Sequence, residues 1–126
     1  MTTNKPLLGV VVGHGSVAAA LVDAVGRITG EQDALVPVSN TDCDRGALEA
    51  RVEAAVGAGP AVVFVDLAAG SCLLATLTRL RGRDDVEVVT GVNLAMLVDF
   101  VYHRALPVSE AAARAAESGV RAIKVP

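Results

Sequence analysis

The sequence predicts a three-layer α/β/α domain built on a mostly parallel sheet, and three observations carry that expectation. Short apolar runs recur along the chain (LLGVVVG, AVVFV), with stretches of helical periodicity between the strand-like segments. Those runs are continuous rather than alternating, as in strands buried on both faces by crossover helices. The chain has 126 residues, near the modal size of a domain, so one hydrophobic core is expected across residues 1–126.

The first run, Leu7 to Gly13, stops at Gly-His-Gly and reads as strand one. From Ser16 the segment SVAAALVDAVGRITG places Ala20, Leu21, Ala24, Val25 and Ile28 at helical spacing, with Ser16 available as a cap and Gly30 as a stop. Ala34 to Val38 is a short second strand. Asp44 to Val56 returns to helical period, with Leu48, Val52, Ala55 and Val56 on one face, until Gly57 and Gly59 break it. Ala61 to Val65 is the third strand and ends on Asp66, and a helix follows from about Ser71 to Leu80. Val86 to Val89 is the fourth strand. GVNLAMLVDFVYHR reads as a loop and a helix, and Pro107 interrupts it. Ser109 to Glu117 then forms a last helix before Gly119, and the tail VRAIKV reads as a fifth strand.

Composition narrows the function classes. Apolar residues make up 52 % of the chain, yet only two Phe and one Tyr contribute, so Val, Leu and Ala must fill the core through close helix-on-sheet packing. The formal charge of −3 comes from interspersed acids and bases, which leaves no basic stripe for a nucleic-acid backbone. Cys43 and Cys72 lack a short metal-type spacing and give neither a disulfide framework nor a zinc site, which fits a reducing cytoplasm. The apolar stretch Leu7 to Val12 is too short for a signal peptide, and no run approaches the roughly 20 residues of a membrane span. A membrane role would therefore run through a partner.

In parallel sheets the ligand site lies beyond the carboxyl ends of the strands, where the strand order reverses. His14 and Asp66 both fall on that edge. Gly13 and Gly15 leave room for a reactant beside His14. A neutral imidazole nitrogen attacks phosphorus competently when the other ring nitrogen donates its hydrogen to an acceptor that fixes the tautomer. Asp66 is the obvious acceptor, although a carboxylate there also suits a helix cap or a turn. Gly70, Ser71 and Cys72 open a helix whose free N–H groups form an anion site, and Ser71 reads either as a donor to a phosphoryl oxygen or as a cap. Asn93 reads as a turn residue, or as an amide that orients the loop beside His14. His103 reads as a structural cation at a helix end, and Met96 and Leu97 as packing. No carboxylate cluster holds magnesium, so neither metal nor cofactor is assigned.

Three segments resemble the mannose-family enzyme IIA domains of the sugar phosphotransferase system: GVVVGHGSVAAALVDAVGRITGEQ, VFVDLAAGSCLLA and VVTGVNLAMLVDF. Order and spacing match over roughly residues 7 to 104, and GVN-x-x-ML is the most specific part. The resemblance implies a flavodoxin-like strand order and a phosphotransferase activity with a phosphohistidine intermediate. In it His14 is phosphorylated through Nε2, Asp66 binds its Nδ1–H and Ser71 lies beside the phosphate. The implied donor is the phosphocarrier HPr and the implied acceptor an enzyme IIB domain, with membrane contact only through a permease complex. A homodimer is also implied, its antiparallel C-terminal strand, here Val120 to Val125, exchanged between protomers.

The chain departs from that family's pattern at Ala69, where Gly is usual, and at Cys72 and Ala95, where Pro is usual. Losing Pro at two helix starts loosens those loops without removing either reactive side chain. Cys72 itself reads as a small buried thiol, with a redox role as the alternative. Two further functions stay open beside transport: a regulatory module read out by its phosphorylation state, and the phosphoryl-donor subunit of dihydroxyacetone kinase. A nucleotide-binding domain is disfavoured, because neither GxGxxG nor a Walker pattern is present.

Overall fold

The computed structural model describes residues 5–126. Nine elements follow one another along it, strand and helix alternating up to α4: β1 (Leu8–Gly13), α1 (Val17–Thr29), β2 (Leu35–Ser39), α2 (Arg45–Val56), β3 (Ala61–Val65), α3 (Ser71–Arg79), β4 (Val86–Thr90), α4 (Leu94–Tyr102) and α5 (Val108–Arg121). The four strands form one sheet in the order β2-β1-β3-β4, every neighbouring pair parallel. This is the expected flavodoxin-like order. The sequence leaves β1 in opposite directions, towards β2 on one side and β3 on the other, so the switch point lies between the ends of β1 and β3.

Two apolar layers explain why the strand runs are continuous. Val11, Val62 and Phe64 point into a cluster with Val25, Leu97 and Phe100, whereas Val10, Val12, Val63 and Val65 point into a second cluster with Leu48, Val52 and Ala75. Successive side chains on β1 and β3 thus serve opposite faces, and both faces are buried. Phe64 and Phe100 meet edge to face with centroids 5.1 Å apart, the one aromatic pair in a core otherwise filled by Val, Leu and Ala.

Helix boundaries follow from local chemistry in most places. Asp44 caps α2 by accepting from the Ala47 N–H at 2.8 Å, and Gly30 ends α1 in the left-handed region. Asn93 caps α4, accepting from Met96 N–H at 3.0 Å while its own amide donates to the Gly119 carbonyl at 3.1 Å. Ser16 makes no side-chain capping bond to α1, contrary to expectation.

The C-terminal region corrects the sequence reading twice. Helix α5 does not stop before Gly119 but runs through it to Arg121. Gly119 is buried against α4, and a Cβ there would stand 2.8 Å from Met96 Cε and 3.2 Å from Met96 Cβ. The missing side chain lets the two helices close up, and that packing overrides glycine's low helix propensity. The tail is also not a strand in this chain. Val120 and Arg121 belong to α5, residues 123–126 have no regular structure, and Ile123 and Val125 are 75 % and 99 % exposed. A strand needs a ladder partner, and the tail pairs with no strand of its own chain among the described residues.

Candidate functional site

The end of β1 carries the site. Its last residue, Gly13, is buried, and a Cβ there would lie 3.4 Å from Asp66 Oδ2 and from Ala18 N, so a side chain would crowd the carboxylate. His14 follows, with its side chain 41 % exposed. Asp66 leaves the end of β3, and its backbone N–H donates to the Val12 carbonyl at 3.1 Å, so the parallel pairing of β1 and β3 aligns the two residues. His14 donates twice to Asp66 Oδ2, from its backbone N–H at 2.9 Å and from its ring Nδ1 at 2.8 Å.

That geometry sets the protonation pattern. Burial by itself pushes the Asp66 carboxyl up, but the His14 backbone N–H, the ring hydrogen bond and the charge of the ring outweigh it and hold the group below its ordinary value of 3.8. An ionised carboxylate only accepts, so Nδ1 carries the hydrogen, and in the neutral ring the lone pair is on Nε2. Asp66 thus engages the His14 ring and backbone and does not cap α3, whose N-cap is Gly70.

The structure brings together only part of the expected set. Cys72, the second residue of α3, is fully buried beneath the ring, with Sγ 3.8 Å from His14 Nδ1. Its side chain cannot face a phosphoryl group on Nε2, so any phosphate contact at this position comes from its backbone N–H. Burial, followed by the charge of Asp66, pushes the thiol up, which is opposite to the activated thiol of a redox role. Gly70 and Ser71 stand exposed at the first turn of α3. Asn93 does not reach His14, because both ends of its amide are committed to Met96 and Gly119. Its loop is tied to the end of β3 by the Val92 N–H, which donates to the Val65 carbonyl at 3.1 Å. His103 caps α4 with Nδ1 2.8 Å from the Asp99 carbonyl, the structural role expected of it.

Sequence reasoning missed Ser39 and Asn40. Gly15 N–H donates to Asn40 Oδ1 at 3.2 Å, Ser39 Oγ–H to the Gly15 carbonyl at 2.8 Å, and Asn40 N–H to the Gly13 carbonyl at 3.2 Å. The end of β2 thus clasps the Gly-His-Gly loop on the side away from Asp66. The signal was topological: a parallel neighbour of β1 must end beside it, and polar residues there meet the loop. His14, Asp66 and Cys72 also offer three metal-type donor atoms within 4.8 Å of one another.

These features define a class: a parallel α/β domain that presents a carboxylate-oriented imidazole, one nitrogen outward, at the switch point of its sheet. The family model for the fructose IIA component of the phosphotransferase system, EIIA-man, matches residues 9–117. The chain belongs to that family. No curated protein sequence matches it significantly. Among solved structures, the phosphotransferase component EIIA from Streptococcus agalactiae superposes with a TM-score of 0.86 at 19 % identity, covering 94 % of this chain and 95 % of its own. The mannose/sorbose-specific IIA subunit from Enterococcus faecalis gives 0.84 at 24 % identity, covering 97 % and 96 %. At these identities the likeness establishes the shared fold. No helix among the described residues is long and apolar enough to cross a membrane.

Proposed function

We propose that the chain, acting over residues 1–126 as one cytoplasmic carrier domain, accepts a phosphoryl group from phospho-HPr on His14 Nε2 and delivers it to an enzyme IIB domain during carbohydrate uptake. The observation that carries this reading is the 2.8 Å contact between Nδ1 and Asp66, which leaves Nε2 as the free nucleophile on a part-exposed ring. In the forward step the Nε2 lone pair forms the new N–P bond as the N–P bond of the donor imidazole breaks, and the departing ring keeps that electron pair. The phosphorylated ring retains its Nδ1–H and gains positive charge, which Asp66 stabilises. The free N–H groups of Gly70, Ser71 and Cys72 at the start of α3 suit the phosphoryl oxygens. Positioning and charge stabilisation carry most of such a transfer, so no further catalytic apparatus is required.

Incubation with phosphoenolpyruvate, enzyme I and HPr is expected to add one phosphoryl mass per chain, labile to acid and stable to base. Absence of that mass overturns the reading for this donor. Transfer onward to a IIB domain distinguishes transport from a regulatory role, in which the label stays on the protein.

The exposed apolar tail and the open edge of β4 support a homodimer in which each tail pairs with its partner's sheet. Sedimentation at twice the chain mass is expected, with removal of residues 122–126 giving monomers. A dimer that survives the deletion removes the tail from the interface.

A further inference from the structure

We propose that His14, Asp66 and Cys72 form a binding site for a thiophilic divalent cation such as Zn²⁺, and that the bound cation switches off phosphoryl acceptance. The switch rests on the carrier reading; the site itself does not. Three elements converge to make it: the loop after β1, the end of β3 and the first turn of α3. Their donors are an imidazole nitrogen, a carboxylate oxygen and a thiol sulfur, all within 4.8 Å of one another. This mixed set suits zinc and differs from the all-oxygen set that magnesium requires. Chain spacing conceals it, because Cys72 lies 58 residues from His14.

Two of the three donor separations are close to those of an assembled site, and the third, sulfur to carboxylate oxygen, lies within the 4.8 Å that encloses all three donors. Zinc bonds of about 2.0–2.1 Å to nitrogen and about 2.3 Å to sulfur, at tetrahedral angles, separate those two ligands by about 3.6 Å. Nδ1 and Sγ are already 3.8 Å apart. The nitrogen–oxygen edge of such a site is about 3.4 Å, so the 2.8 Å hydrogen bond between Nδ1 and Asp66 opens by roughly half an ångström as its hydrogen leaves. The second carboxylate oxygen, Asp66 Oδ1, is buried and has no hydrogen-bond partner among the described residues, so this carboxylate has a free acceptor for a cation. Solvent completes the fourth position.

Proton balance explains the inhibition. The cation takes the Nδ1 lone pair, so the ring hydrogen moves by way of solvent from Nδ1 to Nε2, and the Cys72 thiol releases its proton to water. Net, one M²⁺ enters and one H⁺ leaves. Nε2 is then a donor without a free lone pair and cannot attack phosphorus. The same side chains hold a nucleophile in one state and a metal centre in the other.

Co²⁺ titration of the reduced protein is the test, because it reports thiolate ligation without any activity. One equivalent is expected to give a thiolate-to-cobalt charge-transfer band that Zn²⁺ displaces. Cys43→Ser should keep the band. Cys72→Ser should lose it, with zinc affinity falling roughly a hundredfold or more. With isolated phospho-HPr as donor, zinc should suppress phosphoryl acceptance by wild type and Cys43→Ser, and a chelator should restore it. Cys72→Ser, compared with itself with and without zinc, should show no suppression. A missing band, or one that survives in Cys72→Ser, overturns the site, and acceptance that zinc leaves unchanged while the band is present overturns the switch. Wild type that accepts no phosphoryl group even with chelator fails the carrier reading instead, and the cobalt band still decides the site.

Discussion

His14→Ala is expected to abolish phosphoryl acceptance, leaving no acid-labile mass increase under conditions that fully label the wild type. Of His14, Asp66 and Cys72 the ring alone faces outward: Asp66 is 13 % exposed and occupied by His14, and Cys72 is fully buried. His103, the other histidine, caps α4 with Nδ1 engaged by Asp99, and its neighbour Arg104 pairs with Leu7 just before β1, the opposite end of that strand from His14. Alanine at position 14 keeps the backbone N–H that Asp66 accepts at 2.9 Å, so the loop should hold and the variant should fold. Thermal melting checks that separately. A variant that melts like wild type and still takes up the label would move the phosphorylated residue elsewhere.

Asp66→Asn tests the orienting carboxylate, and its expected effect is a fall in the rate of phosphoryl acceptance on the order of 10²–10⁴-fold. Two losses combine. An amide oxygen in place of Oδ2 still accepts from Nδ1–H but carries no charge to stabilise the phosphorylated ring. An amide nitrogen in its place donates to Nδ1, which drives the ring hydrogen onto Nε2 and removes the nucleophile. Stability should respond to pH as well. The folded Asp66 titrates below its ordinary value, so it contributes stability above about pH 4 that is lost as pH falls through its lowered folded value. The melting temperature of wild type should therefore fall more steeply than that of Asp66→Asn on acidification below pH 4. Parallel curves and an unchanged acceptance rate would each remove the assigned role.

The strands were legible because burial on both faces leaves a continuous apolar run, as LLGVVVG and AVVFV show, and their alternation with helices implies a parallel sheet. His14 and Asp66 were legible for the same reason, since each ends such a run. What escaped the sequence depends on contacts that local pattern does not encode. Gly119 has low helix propensity, yet helix α5 continues through it because Met96 needs the space. VRAIKV is rich in strand formers, yet within this chain it has no partner. Ser39 and Asn40 carry no motif, and their bonds to Gly13 and Gly15 exist only once β2 lies beside β1. The proximity of Cys72 to His14 emerges only when α3 folds back over the end of β3.

The bare Cα of Gly119 also reaches beyond its own packing. By bringing α5 against α4, it lets Asn93 grip the Gly119 carbonyl just two residues before the helix ends. The last five residues therefore leave the domain from a fixed point and on a fixed heading rather than from a fraying end. In the proposed dimer, where the tail pairs with a neighbouring molecule, such aim would lower the entropic cost of the encounter, so that one absent methyl group inside the fold would help direct how two molecules meet outside it.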